Sequence, residues 1–426
     1  MIDKKFKLDT LVSYATQAGV ITCGFAFTTL VTQYAGIGVF GMLGLLTAFS
    51  SVLTNLMTFR TNEAVVVFYK RGKNTDDWGL CKFALAAGIA LDIAVGSALL
   101  CLVYYSADTI AEYLLKDHHH ADAVRLFAFA LFFQFFRGAP TGYLIARERF
   151  VVFNLLGLSE HLLKLSLLGA VIWRGETVTF EHIVNALMSA AMATSLAIYS
   201  HLCWTLFMRY RRVSTKLNFS LIREYLGFSM NTFLSTALKA GNQNIDTLVL
   251  GWVAENRLVG IYTLFRQFLA PLAFLSNPFA TLAYPKFVQA VVESRHADIR
   301  NSIRQVNRKL TKVYLLAIPL SSLALFGYAS WLKLPMNSSQ YLPFAMMCMQ
   351  YYVTGILWWT RSFANAVDPN ISLKGNFYAT ILAIILVYPA STRFDITGTA
   401  GAMLAIILVL NVYWSKKLLD HTRSQE

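Results

Sequence analysis

Long apolar segments alternate with short charged segments along the whole chain. Each apolar segment is about 20 residues long, the length that an α-helix needs to cross the hydrocarbon core of a bilayer. The pattern predicts an all-α integral membrane protein with about a dozen transmembrane helices. These are expected at residues 11–32, 38–60, 80–104, 124–146, 150–173, 183–208, 226–251, 258–282, 311–332, 341–364, 371–390 and 396–415.

Composition agrees with a membrane protein and not with a soluble one. Hydrophobic residues make up 56% of the chain and charged residues only 14%, whereas soluble domains average roughly 25% charged residues. The predicted helices nearly fill the 426 residues, so no sizeable soluble domain is expected. An enzyme built on this chain would need its active site among the helices.

The 37 Lys and Arg residues outnumber the 23 Asp and Glu residues and are spread unevenly over the loops. The N-terminus, every second loop and the C-terminus are basic, as at Lys70, Arg211 and Arg308, whereas the intervening loops carry acids such as Asp108 and Glu176. The positive-inside rule therefore predicts that both termini lie in the cytoplasm. The same rule, with an anionic inner leaflet, accounts for the basic excess, so no nucleic-acid partner is expected.

The two halves of the chain resemble each other. Gly38-Val39-Phe40-Gly41 opens the second predicted helix, and Gly260-Ile261-Tyr262-Thr263 opens the eighth. An even number of spans per half indicates a parallel repeat. The predicted domains are an N-terminal six-helix lobe at 1–208, a basic cytoplasmic linker at 209–225 and a C-terminal six-helix lobe at 226–426.

Three prolines of the eighth predicted helix, Pro271, Pro278 and Pro285, are each seven residues apart and so share one helix face. Each lacks an N–H and clashes with the preceding turn, which favours a bend. They are hinge candidates for a moving helix, or else a packing irregularity whose freed carbonyls are satisfied by neighbouring helices.

Several motifs resemble those of Wzx-type flippases, which belong to the multidrug/oligosaccharidyl-lipid/polysaccharide (MOP) exporter superfamily. In the second half these are Asp246 to Gly251, Val259-Gly260-Ile261-Tyr262, Asn277-Pro278 and Tyr284-Pro285. In the first half they are Gly38-Val39-Phe40-Gly41, Asn62-Glu63, Phe68-Tyr69, Arg137-Gly138 and Ala146-Arg147-Glu148-Arg149-Phe150. The resemblance extends over the whole chain in length, helix number and two-lobe plan.

The resemblance implies two six-helix lobes around a central cavity, as in multidrug exporters of the same superfamily. It also implies a substrate, an undecaprenyl-pyrophosphate-linked oligosaccharide, which is moved to the periplasmic leaflet of the bacterial inner membrane for lipopolysaccharide or O-antigen synthesis. Membrane lipids would be further partners, and a polysaccharide polymerase and a chain-length regulator are candidate protein partners.

Ionisable side chains inside a membrane are costly, so those that remain tend to face a bundle interior or a wet cavity. The cationic candidates for a substrate-binding cavity are Arg60, Arg137, Lys164, Lys239, Arg266 and Arg361. The candidates for a polar cavity or an ion-coupling site are Glu63, Asp92, Asn242, Asn244 and Asp246. Cations suit a pyrophosphate, because Arg grips phosphate oxygens with a planar fork, whereas a cavity for cationic drugs would favour acids and aromatic residues.

Other interpretations of these residues stay open. Arg60, Glu63 and Arg361 lie near predicted helix ends and could mark the membrane interface. Lys164, Lys239 and Arg266 lie deeper and could instead form buried ion pairs with Asp92 or Asp246.

Some motifs are absent from the sequence. It has no G-x-x-x-x-G-K-[ST], so ATP is not expected to drive the protein directly, and an ion gradient is the expected energy source. It also has no H-E-x-x-H and no G-x-S-x-G, so no catalytic residue, metal or cofactor is expected.

Besides a multidrug-type exporter of the same superfamily, two other classes of protein are alternatives. O-antigen polymerases and ligases resemble one another in having a large periplasmic loop with key arginines, whereas the longest predicted periplasmic loop here, around 105–123, is short and acidic. A scaffold subunit would not need cations at mid-membrane. A secondary transporter that is not an enzyme is therefore the favoured class.

Overall fold

The computed structural model describes residues 4–57, 59–211, 213, 219–240, 244–292, 296–334, 337–367 and 369–423. In these residues the chain forms helices and no strand. The α-helices are α1 Lys4–Tyr34, α2 Ile37–Met57, α3 Thr61–Asn74, α4 Trp78–Tyr105, α5 Ala107–Ile110, α6 Ala121–Phe135, α7 Gly138–Ala146, α8 Phe150–Trp173, α9 Phe180–Tyr210, α10 Phe219–Ala240, α11 Ile245–Val253, α12 Asn256–Val292, α13 His296–Trp331, α14 Tyr341–Ile356, α15 Trp358–Val367 and α16 Pro369–Arg423.

Eight of the described helical segments are long and apolar enough to cross a membrane, which makes the chain a multi-pass membrane protein. They are Ala15–Tyr34, Ile37–Met57, Trp78–Tyr105, Phe150–Trp173, Phe180–Met208, Asn256–Ser276, Ile303–Trp331 and Lys374–Lys416. The all-helical class is confirmed, whereas the number of twelve helices and the inside location of the termini stay predictions.

Three of the predicted spans are interrupted. The fourth is divided into α6 and α7 at Phe136 and Arg137, the seventh into α10 and α11, and the tenth into α14 and α15 at Leu357. Pro140 lies in the first turn of α7, where its missing N–H is tolerated, and so favours a helix start at this point. At the first interruption, Phe136 N–H still donates to the Phe132 carbonyl, and the Arg137 carbonyl accepts from Thr141.

The helix α16 contains a sharp kink that separates the predicted eleventh and twelfth spans. Phe394 and Asp395 have non-helical backbone angles, and Asp395 has a positive φ of 46°. A Cβ atom on Gly398 would collide with the Ala390 carbonyl, so only glycine allows this close approach. The two predicted spans are therefore the two arms of this kinked helix.

The chain forms two compact units. The first consists of Met1–Leu43 and Leu53–Ala237, and the second of Gly44–Val52 and Leu238–Glu426. The helix α10 begins at Phe219, inside the predicted linker 209–225, and its Tyr225 packs in the first unit against the rings of Phe68 and Phe83.

A common order of helix contacts recurs in the two units. In the first unit α1 packs against α8, α3 against α4 and α7, α4 against α6, and α6 against α9. In the second unit α11 packs against α16, α12 against α13 and α15, α13 against α14, and α14 against α16. The interrupted pairs, α6 with α7 and α14 with α15, occupy corresponding places in these two orders.

Candidate functional site

Arg137 lies in the interruption between α6 and α7, and its side chain forms an ion pair with Glu160 of α8. The two side chains are 21% and 20% exposed, so most of the pair is withdrawn from solvent. The Arg137 carbonyl accepts a hydrogen bond from the N–H of Thr141 at 3.0 Å. This bond joins Arg137 to the first turn of α7. The helix break thus fixes the position of Arg137 beside α8.

Further ionisable groups of α8 lie beside this pair. Lys164 is one helical turn from Glu160 and interacts with it electrostatically, and its Nζ lies 5.2 Å from the centre of the Phe27 ring. His161 interacts with Arg137, Glu160 and Lys164. Arg137, Glu160, His161 and Lys164 are called the α8 cluster below. With a neutral His161, two cations and one carboxylate leave the cluster one positive charge in excess.

A cavity of about 180 Å³ adjoins Arg137 inside the first unit. Its polar lining residues other than Arg137 are Thr16, Gln17, Thr141, Asn154 and Thr194. Hydroxyl and amide groups can donate to phosphate oxygens and can donate to or accept from sugar hydroxyls, so the lining suits a polar ligand beside a guanidinium.

Asp92 of α4 caps the N-terminus of α7. Its side chain is buried, and its Oδ2 accepts the Ala139 N–H at 2.6 Å. A Cβ atom on Gly138 would lie 2.6 Å from Oδ1, so glycine is needed for this approach. A carboxylate at a helix N-terminus is stabilised by the unpaired N–H groups and the helix dipole. Within the described residues, no ion pair joins Asp92 to Lys164.

The second unit brings Asn244, Asp246 and Arg266 together at the start of α11. The Arg266 guanidinium donates to Asn244 Oδ1 at 2.7 Å and to Asp246 Oδ1 at 3.3 Å. Asn244 has the left-handed φ of 65°, which asparagine tolerates better than most residues. Arg266 and Asp246 therefore form the ion pair that the sequence left open as an alternative to a cavity position; Asp246 is buried and Arg266 partly buried.

Two hydroxyl groups complete this network. Tyr262, one turn before Arg266 on α12, donates its hydroxyl to Asp246 Oδ2 at 2.7 Å, and Thr247 Oγ1 accepts from Arg266 at 2.7 Å. A cavity of about 380 Å³ adjoins the network and is lined by Asn244, Asp246, Tyr262 and Arg266 together with residues of α14 and α16. It is called the Arg266 cavity below.

The remaining predicted residues do not join either cavity among the described residues. Arg60 and Glu63 pair with each other across one turn and are 42% and 40% exposed. Pro271 lies within α12, which is helical from Asn256 to Val292. The other predictions, whose side chains lie outside the described residues, are Lys239, Asn242, Pro278, Pro285 and Arg361.

Sequence reasoning missed Glu160 and Tyr262. Glu160 had a usable signal, since it and Lys164 are the two charged residues of the apolar fifth span and lie one helical turn apart. Tyr262 had a weaker signal, because its i, i+4 relation to Arg266 places the two on one helix face but does not name Asp246 as their common partner.

A family model described as polysaccharide biosynthesis protein matches residues 10–291, more than half of the chain. The chain belongs to this family. No curated protein matches the sequence of this chain closely enough to count as a relative.

Three solved structures show the fold that this chain shares with known transporters. An inward-facing multidrug resistance MATE family transporter of the MOP superfamily has a TM-score of 0.69 and 13% identity, covering 95% of this chain and 96% of the other. The lipid II flippase MurJ, in an inward closed conformation, has a TM-score of 0.67 and 11% identity, with coverage of 96% and 86%. A MOP superfamily transporter from Pyrococcus furiosus has a TM-score of 0.62 and 12% identity, with coverage of 99% and 94%.

At these identities the likeness is one of fold. The family match confirms the polysaccharide part of the resemblance, and the structures confirm a fold shared with a MOP superfamily transporter and a lipid II flippase.

Proposed function

We propose that this protein is a flippase that moves undecaprenyl-pyrophosphate-linked oligosaccharide repeat units from the cytoplasmic to the periplasmic leaflet of the bacterial inner membrane. The product would feed the synthesis of lipopolysaccharide or another surface polysaccharide. The family, polysaccharide biosynthesis, supports the glycan part of the substrate. The fold shared with a lipid II flippase supports a substrate that is linked to a lipid.

The observation that carries the proposal is the position of Arg137 in a helix break, paired with Glu160 and open to a polar cavity. A pyrophosphate needs cationic groups with several N–H donors, and a guanidinium beside hydroxyl and amide groups meets that need. Lys164 adds a second positive charge one turn from Glu160.

Glu160 has a role of its own in this proposal. Without substrate, its carboxylate neutralises Arg137, which reduces the cost of keeping a charge within the membrane. A pyrophosphate carries more than one negative charge, so it can replace the carboxylate and engage both Arg137 and Lys164. Binding then exchanges an internal anion for the anion of the substrate.

The transport cycle follows the predicted architecture of two six-helix lobes with both termini in the cytoplasm. The lobes alternate access to a central cavity while the polyprenyl tail stays in lipid, and an ion gradient drives the cycle. Membrane lipids surround the tail, and a polysaccharide polymerase and a chain-length regulator receive the product.

A deletion strain complemented with variants tests the proposal. Loss of the protein should trap single lipid-linked repeat units at the cytoplasmic face, and a variant with Arg137→Ala and Lys164→Ala should fail to restore surface glycan. Arg71→Ala is the matched control, because Arg71 forms an exposed pair with Glu224 that touches neither cavity.

Two outcomes would contradict the proposal. Repeat units trapped at the periplasmic face indicate a polymerase instead of a flippase. Normal glycan export by the double variant, expressed at the level of the native protein, would show that the α8 cluster does not bind the substrate.

A further inference from the structure

The Arg266 cavity of the second unit has two chemically different sides. One side carries the hydrogen-bonded network of Asn244, Asp246, Tyr262 and Arg266. The other side, formed by α14 and α16, is mainly aliphatic and includes Met347, Met403, Ile406, Ile407 and Leu410, besides Gln350 and Tyr351. A volume of about 380 Å³ falls in the range of roughly 300–1,000 Å³ that small-molecule sites occupy. The cavity therefore suits a small ligand that is polar at one end and apolar at the other.

Gln350 provides an unsatisfied acceptor in this cavity. Its Oε1 is buried and has no hydrogen-bond partner among the residues that the structure describes. A buried acceptor without a donor costs about 1–3 kcal/mol. A ligand that presents an N–H or O–H to Gln350 removes this cost.

Arg266 provides donors to the same cavity. Within the described part of the chain, three hydrogen bonds occupy its guanidinium, directed to Asn244, Asp246 and Thr247. A guanidinium has five N–H groups, so two are left for a ligand acceptor. Its charge is already balanced by Asp246, which favours a neutral acceptor over an anion.

We propose that the Arg266 cavity binds the acetamido group of an N-acetylated amino sugar. The amide N–H donates to Gln350 Oε1, the amide carbonyl accepts from Arg266, and the methyl group packs on the aliphatic side. A sugar hydroxyl could satisfy Gln350 but would leave that aliphatic side unused. A pyrophosphate is disfavoured, because it would lie against the Asp246 carboxylate and the Gln350 oxygen. The inference rests on the proposed function and adds a sugar preference to it.

Saturation-transfer NMR on the native protein in lipid nanodiscs tests the preference with three small ligands: the methyl glycosides of N-acetylglucosamine, glucosamine and glucose. We expect the acetamido glycoside to bind about tenfold more tightly than the other two, which corresponds to one or two added hydrogen bonds. The strongest saturation transfer should fall on its acetamido methyl group.

Variants at Gln350 assign the preference to this cavity. Gln350→Met keeps the side-chain length but removes the acceptor, so the tenfold preference should disappear. Gln350→Glu keeps an acceptor oxygen and should retain the preference. Gln134→Leu is the control, since Gln134 is an exposed glutamine of the first unit, away from this cavity.

Equal binding of the three glycosides to the native protein overturns the inference, and this result needs no variant to fold. An unchanged preference in folded Gln350→Met also overturns it. The same purified protein is also reconstituted in liposomes and tested for flipping of undecaprenyl-pyrophosphate glycans. If it flips them although the three glycosides bind equally, only the sugar preference is wrong. If no such glycan is flipped, the proposed function itself is wrong.

Discussion

Replacing Glu160 with glutamine probes the exchange of an internal anion for the substrate anion. The change keeps the shape of the side chain but removes the charge that pairs with Arg137. Exposed ion pairs contribute up to about 1 kcal/mol, and breaking buried ones costs about 3–5 kcal/mol. Since both partners are about one-fifth exposed, the pair is worth about 2 kcal/mol.

In the native protein a ligand anion must displace Glu160, so its binding free energy is reduced by the contribution of the Arg137–Glu160 pair. In Glu160→Gln this reduction is absent. At 1.4 kcal/mol per factor of ten, the variant should bind a pyrophosphate about thirtyfold more tightly. Isothermal titration of farnesyl pyrophosphate into the purified protein at fixed ionic strength measures this directly. The variant should also melt at a lower temperature without ligand and gain more from ligand than the native protein does, because Arg137 then has no counter-charge.

Glu224→Gln is the matched control. Glu224 also pairs with an arginine, Arg71, but the two side chains are 51% and 55% exposed and lie away from both cavities. The Glu224→Gln variant should bind farnesyl pyrophosphate with the affinity of the native protein. Equal or weaker binding by Glu160→Gln would refute the exchange mechanism.

Two further predictions concern stability. Asp246→Ala leaves the largely buried Arg266 and the Tyr262 hydroxyl without their shared partner, so the free energy of unfolding in detergent should fall by about 3 kcal/mol, whereas Asp246→Asn should lose less. A cost under about 1 kcal/mol for the alanine variant would contradict this. Gly142→Ala should cost about 1–3 kcal/mol in the same assay, since its Cβ would lie 2.6 Å from the Asn62 carbonyl oxygen, while the control Gly169→Ala has open space and should be neutral. Equal stability of the two alanine variants would show that α3 and α7 do not pack as described.

The helical class and many helix positions could be predicted from hydropathy alone. The fifth predicted span, 150–173, coincides with α8, because charged residues flank it on both sides. The interruption at Arg137 was not predicted, since a hydropathy pattern averages over a gap of two residues between apolar stretches. Gly138 and Pro140 were the local signal for it.

Side-chain partners were harder to predict than helices. The charged residues of the membrane helices can be found by composition, but their pairing depends on which helix faces meet. For Arg266 the sequence favoured a cavity position and left an ion pair with Asp92 or Asp246 as the alternative; the structure shows the pair with Asp246. Arg137 was predicted only as a cavity residue, because nothing in the sequence relates it to Glu160, 23 positions away on another helix.

A flipping assay in proteoliposomes tests the central claim most directly. The protein is reconstituted with an undecaprenyl-pyrophosphate-linked oligosaccharide, and arrival of the glycan in the opposite leaflet is measured with a membrane-impermeant glycosidase. The native protein and Arg71→Ala should transfer the glycan, and the variant with Arg137→Ala and Lys164→Ala should not. No transfer by the native protein, or transfer at the native rate by the double variant, would contradict the account.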